Sequence, residues 1–240
     1  MQGIAEQPIP FFRSLGLAVT ATVAAFVAAL VAGIGWFAAS GRGPAATAAL
    51  KNPGSDPLQT IALVAYVVMA ALLLWRWPRI MRRTLAELGL RALRPRDWAT
   101  AGIGIAAVFG LRLLTALALS LTHNTHHVQT GFEHFRVTDA YGATVTAVTA
   151  VIAAPFTEEL LFRGVIFRAL WSRLPILAAA LISALLFGLI HDDGVLFPAI
   201  AGLGFVNALV YARCGNLYAA MIVHAANNAL PIALLIAYGA

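Results

Sequence analysis

Six polar side chains stand out because they interrupt apolar sequence: Glu158, Glu159, Arg163, His191, His224 and Asn228. On a helix, Glu159 and Arg163 share one face at i, i+4 with the acid N-terminal, the favoured order for an ion pair. Glu158 projects about 100° away from Glu159 and is left for other work. Phe187 and His191 lie one turn apart, as do His224 and Asn228. Taken together they form a catalytic inventory of a base, proton carriers and an amide donor. The bland readings are a buried ion-pair network clamping helices together, and single polar residues making interhelical hydrogen bonds. For His191, the adjacent Asp192 and Asp193 suggest a segment end at an interface.

What must position these groups follows from composition. The 240 residues are 61% hydrophobic and only 11% charged, with mean hydropathy +0.84. A soluble domain carries about 25% charged residues, so a soluble enzyme, a disordered chain and a nucleic-acid-binding domain are all excluded. The net charge of +6 does not mark a DNA binder, because 15 of the 16 basic residues are Arg and they gather between apolar runs. Cys214 is the single cysteine, so no internal disulfide frames the fold. A span needs about 20 apolar residues to cross about 30 Å of hydrocarbon. The runs 14–41, 57–75, 98–121, 141–171, 174–190, 196–212 and 215–240 qualify as hydrophobic segments. The expected fold is all-α, a polytopic membrane helix bundle of seven spans, or eight if 141–171 divides. Residues 1–240 read as one integral membrane domain, without internal repeat or linker. The first run is too long for a cleaved signal core and reads as a retained helix.

Arginine placement sets the expected orientation. Seven arginines between Arg76 and Arg96 mark a cytoplasmic loop. Alternation then puts the N-terminus, Arg168, Arg173 and Arg213 inside, residues 40–57 and 122–140 outside, and the C-terminus outside for a count of seven. The run 141–171 would extend about 46 Å as one helix. Pro155 within it removes a hydrogen bond, and Thr157 followed by two acids reads as a helix restart. A kinked helix or two half-helices is expected there, with the charged cluster at the break. Counting from the cytoplasmic side places His224 about 7 residues and His191 about 17 residues into their segments, an axial mismatch near 15 Å. Arg112 interrupts the third segment and is expected either to snorkel outward or to pair with Glu158 or Glu159. His123, His126, His127, Glu133 and His134 cluster in a loop whose spacing matches no structural zinc pattern.

Glu158-Glu159-Leu160-Leu161-Phe162-Arg163, Phe187-xxx-His191 and His224-xxx-Asn228 resemble, in order, the three motifs of the CPBP intramembrane proteases. This is the CAAX prenyl endopeptidase and bacteriocin-processing (Abi) family. Phe162-Arg163-Gly164 and Gly215-Asn216-Leu217 look similar too. The resemblance covers 141–230, the expected catalytic core; residues 1–140 match only as generic hydrophobic helices. It implies an intramembrane endopeptidase in which Glu158 activates water, His191 assists, His224 and Asn228 stabilise the oxyanion, and Glu159 and Arg163 support. Physical chemistry agrees: a partly buried carboxylate makes a stronger base, and one oxyanion donor contributes about 2.7–4 kcal/mol.

Metal use stays open at this level. Glu158, His191 and His224 could ligate Zn²⁺ with an open water position, or the same groups could work without metal; no His-Glu-x-x-His pattern is present. The expected partners are a membrane-associated peptide or protein substrate, prenylated or a peptide precursor, and the lipid bilayer, but no nucleic acid. The expected site is a bacterial plasma membrane. A proton-coupled transporter, in which Glu158, His191 and His224 relay protons, is the alternative from another class. A non-catalytic immunity or scaffold protein is the third.

Overall fold

The computed structural model describes residues 9–41, 43–51, 56–122 and 140–238. The histidine-rich loop at 123–134 lies outside the described residues. Helices α1 (Phe11–Ala39), α2 (Pro44–Lys51), α3 (Asp56–Met81), α4 (Leu85–Leu88) and α5 (Pro95–Leu121) precede a long central helix, Ala140–Trp171. After it come α9 (Ile176–Leu189), α10 (Phe197–Cys214) and α11 (Leu217–Tyr238). The central helix consists of α6 (Ala140–Ala147), a π-helical stretch Val148–Ala153, α7 (Ala154–Glu159), a second π-helical stretch Leu160–Phe167, and α8 (Arg168–Trp171). The protein is an all-α polytopic membrane protein. Among the described residues, six helices are long and apolar enough to cross a bilayer. The seventh apolar helix, α9, has 14 residues, about 21 Å, and stops short of the hydrocarbon thickness.

The helices sort by which face they bury. On α1, Ala18, Ala21 and Ala25 are buried while Val19, Val23, Phe26 and Leu30 are exposed. Small residues let backbones approach in lipid, where there is no hydrophobic drive between helices; α1 accordingly packs along α3. On α5, Leu113, Leu114, Leu117 and Leu121 face outward. The central helix is the most buried span and touches α1, α3, α9, α10 and α11. Gly204 lets α10 approach both α9 and the central helix closely, since a Cβ there would lie 3.1 Å from Ala184 Cα and 3.2 Å from Arg163 Nη2.

Of the two forms expected around Pro155, separate half-helices are not what the chain adopts. Residues 140–171 are helical throughout, and the irregularity is a change of register. Ala154 N–H donates to Thr149 O, five residues back, immediately before the proline. A π-register widens the turn without breaking the chain, and such bulges concentrate at functional sites. Glu158 and Glu159 sit on the short α-helical stretch between the two π-segments. The length beyond the hydrocarbon is taken up at the far end, where Arg168 Nη1 donates to Glu87 O of α4 at 2.7 Å. The last turn therefore lies beside the arginine-rich loop.

A polar knot sets where α11 starts. Asp97, fully buried, accepts from Arg94 N at 3.0 Å, Arg91 Nη1 at 3.0 Å and Asn216 Nδ2 at 3.2 Å. Leu217 N donates to Gly89 O at 2.9 Å. Gly89 has φ 105°, a left-handed conformation that favours glycine. This knot accounts for the axial mismatch between the two histidines. A Cβ on Gly164 would lie 3.5 Å from Leu217 Cδ1, so α11 begins level with Gly164. The chain turns into α9 only after Trp171, seven residues or about 10 Å further along the central helix. The deeper start of α11 raises His224 toward the level of His191.

Candidate active site

Glu159 is fully buried, and its Oε1 is the hub of the site. It accepts from Arg163 Nη1 at 3.0 Å, Asn207 Nδ2 at 2.9 Å and His224 Nδ1 at 2.9 Å. Arg163 is likewise fully buried, and its other arm, Nη2, donates to Gly204 O at 2.7 Å. Its guanidinium also lies 4.8 Å from the Phe187 ring centroid. One carboxylate thus ties the central helix to α10 and α11, and its pairing with Arg163 is the one the i, i+4 spacing leads one to expect. Because the carboxylate accepts at Nδ1, the His224 ring turns its Nε2 away, toward Glu158.

Glu158 is 8% exposed. Its Oε1 accepts from Tyr66 Oη at 2.8 Å, and its Oε2 lies 3.7 Å from His224 Nε2. That Oε2 accepts no hydrogen bond from any described residue. Thr157 Oγ1 donates to Tyr66 O at 3.2 Å, fastening α3 to the same turn. His191 follows the end of α9 and is half-buried. Its Nδ1 donates to Phe187 O at 2.7 Å. A carbonyl can only accept, so in the neutral ring Nε2 carries the lone pair. The Phe187 ring packs against both histidines, 4.6 Å from His191 and 5.6 Å from His224 by centroids. Among the described residues, no ion pair within 4.0 Å joins His191 to Glu158. Asn228 Nδ2 donates to Ala150 O at 2.9 Å.

The fold therefore brings Glu158, Glu159, Arg163 and His224 into direct contact, and sets His191 against the Phe187 ring that also packs on His224. Asn228 reaches the same central helix two turns before Glu158. Arg112 takes neither of its expected paths. It does not pair with Glu158 or Glu159 and does not snorkel outward; Nε donates to Asn227 Oδ1 at 2.7 Å and Nη2 to Asn227 O at 2.9 Å. The reason is Pro231, which lacks the N–H that would otherwise satisfy the carbonyl four residues back.

Two residues of the cluster escape a reading of the sequence. Tyr66 is one aromatic in an apolar run, and nothing in its spacing distinguishes it from a lipid-facing tyrosine. Asn207 carried a usable signal, being a lone amide inside the run 196–212, where an unpaired polar group is costly. The three candidate metal ligands, Glu158, His191 and His224, do not come together as a set. Among the described residues, no three His, Cys, Asp or Glu side chains are arranged to hold a metal ion. His224 Nδ1 is committed to Glu159, and His191 Nδ1 to Phe187 O.

Comparison with known proteins matches residues 140–230 to the family described as type II CAAX prenyl endopeptidase Rce1-like. The protein YdiL of Bacillus subtilis, named as a membrane peptidase, is 32% identical over 81 residues, 34% of this chain and 33% of that protein. The membrane-embedded CAAX protease MroQ of Staphylococcus aureus is 24% identical over 174 residues, 70% of each chain. The match thus spans about a third of one relative and over two thirds of the other. No solved structure matches. The family match falls on the stretch that carries all three motifs, and it is these motifs that supply the buried glutamates, the two histidines and the asparagine. Residues 140–230 thus match the Rce1-like CAAX prenyl endopeptidase family, in agreement with the resemblance to the CPBP proteases carried by the three motifs.

Proposed function

We propose that the protein is an intramembrane endopeptidase that uses a glutamate-activated water to cleave a peptide bond in a membrane-associated substrate. The observation that carries this reading is Glu158, a buried carboxylate with Oε1 held by Tyr66 and Oε2 left facing a histidine nitrogen. An intramembrane ionisable group is costly and functional by default, and this one has the geometry of a general base.

In the proposed reaction, Glu158 Oε2 takes a proton from water, and His191, whose Nε2 carries a lone pair, assists by orienting that water. The hydroxyl oxygen adds to the carbonyl carbon. The resulting oxyanion is met by His224 Nε2, in the form that carries a proton there, and by the second N–H of the Asn228 amide. Glu158 then returns its proton to the departing amine as the C–N bond breaks. Glu159 and Arg163 take no proton; they hold His224 at its angle. No step is routed through a metal. The substrate class is a prenylated protein or a peptide precursor whose apolar portion lies in the bilayer, consistent with the CAAX-type family match. The relatives are bacterial, which supports a bacterial plasma membrane, with the Arg76–Arg96 loop and the N-terminus on the cytoplasmic side.

The test uses the purified protein in proteoliposomes with a farnesylated, CAAX-ended peptide bearing a fluorophore and quencher across the scissile bond. The expected result is time-dependent cleavage, identified by product mass, that persists in the presence of chelators. Proton flux across the liposomes without any cleavage would contradict the proposal and favour the transporter.

A further inference from the structure

Arg112 lies on α5, outside the family-matched stretch, and the proposed chemistry makes no use of it. It is a cation at membrane depth, and among the described residues no carboxylate lies within 4.0 Å of it. What it meets instead is a chain of amides. Nε donates to Asn227 Oδ1 at 2.7 Å, and Asn227 Nδ2 donates to Asn228 Oδ1 at 3.0 Å. Asn228 Nδ2 then donates to Ala150 O at 2.9 Å.

Both ends of this chain are carbonyls left over by prolines. Asn227 O, which accepts from Arg112 Nη2 at 2.9 Å, stands four residues before Pro231 in α11. Ala150 O stands five residues before Pro155. In the local π-register, where Ala154 N–H reaches Thr149 O, it is the acceptor that residue 155 would have used. Proline donates to neither.

The polarity of the chain is fixed at both ends, since the Ala150 carbonyl can only accept. A guanidinium carries only donors, so Arg112 forces the oxygen of Asn227 toward itself and the NH₂ of Asn227 toward Asn228. That in turn presents the oxygen of Asn228 to Asn227 and turns its NH₂ to the central helix. Without Arg112, the Asn227 amide is free to flip, Asn228 Oδ1 loses its fixed donor, and the Asn228 amide is left held from the Ala150 side alone.

We propose that Arg112 is a positioning residue for Asn228: through Asn227 it locks, from the side opposite Ala150 O, the amide orientation that presents an N–H to the reacting carbonyl. This rests on the oxyanion role given to Asn228 above. The juxtaposition also explains why a guanidinium stands here with no acid beside it. Its task is to donate two hydrogen bonds in a fixed fork, which a lysine ammonium on a flexible stem does not reproduce.

The test has two arms. In nanodiscs, with asparagine side chains labelled with ¹⁵N, Arg112→Met is expected to shift the NH₂ signals of both Asn227 and Asn228. Leu113→Ala, at a lipid-facing position, is expected to leave both in place. In the cleavage assay, Arg112→Met and Arg112→Lys are each expected to lower kcat by about tenfold to a hundredfold with KM unchanged. Arg112→Met combined with Asn228→Ala is expected to be no slower than Asn228→Ala alone. Multiplicative losses in that double variant, full activity in Arg112→Lys, or an unmoved Asn228 signal would each overturn the proposal. If the wild-type protein does not cleave the farnesylated peptide, the endopeptidase reading fails on its own, and the amide signals alone decide whether Arg112 orients Asn228.

Discussion

Arg163→Ala should unfold this protein far more readily than its single position in the chain suggests. Arg163 and Glu159 are both fully buried, 3.0 Å apart, and Arg163 also donates to Gly204 O at 2.7 Å. Truncation to Ala leaves the Glu159 carboxylate with Asn207 and His224 as its remaining donors and takes the charged donor away from the α10 backbone. Breaking a buried pair from one side costs about 3–5 kcal/mol, because an uncompensated charge stays behind. Removing both charges together is much cheaper, since an apolar replacement of similar volume is often nearly neutral. The expected order is therefore a loss of about 3–5 kcal/mol for Arg163→Ala or Arg163→Met, and a much smaller loss for Arg163→Met combined with Glu159→Gln. Denaturation by SDS titration in mixed micelles, followed by tryptophan fluorescence, measures both. Wild-type stability in Arg163→Ala, or additive losses in the double variant, would refute the view that this pair is a mutually compensating buried unit.

Tyr66→Phe removes one hydroxyl from Glu158 and little else; kcat for peptide cleavage should fall by about tenfold to a hundredfold while KM stays put, given about 1.5–3 kcal/mol for a hydrogen bond to a charged group. Gly204→Ala inserts a methyl group where Ala184, Arg163 and Phe187 all lie within 3.2 Å, so a stability loss of about 1–3 kcal/mol is expected in the same SDS titration. A cysteine introduced in the Arg76–Arg96 loop should resist a membrane-impermeant maleimide added to intact cells and react after lysis; efficient labelling from outside would reverse the orientation.

The site was legible where physics makes polar residues conspicuous. Glu158, Glu159, Arg163, His191 and His224 show in the sequence because each costs free energy in lipid, and the i, i+4 spacing of Glu159 and Arg163 already implied their contact. Pro155 likewise announced an irregular helix, but proline chemistry alone does not decide between a gap and a widened register. That choice depends on whether another helix can satisfy the freed carbonyl, and here Asn228 does. Arg112 was visible yet mispaired for a related reason. An isolated cation suggests an acid, whereas a carbonyl freed by Pro231 can only be found once α5 and α11 are seen side by side. The depth of the histidines could not be counted from segment ends, because the knot at Asp97 and Asn216 starts α11 about 10 Å deeper than α9. Tyr66 carries no local signal at all; its role follows from the helix it happens to face.

The proposed reaction depends on Glu158 acting as the base that activates water. Its most direct test is the rate of cleavage of the farnesylated peptide by Glu158→Gln in proteoliposomes, with thermal unfolding measured on the same preparation. Glutamine keeps the shape of the side chain and an oxygen for Tyr66, but it cannot take a proton. The expected result is a fall in kcat of about 10²–10⁴-fold with unfolding unchanged. Cleavage by Glu158→Gln at close to the wild-type rate would contradict it.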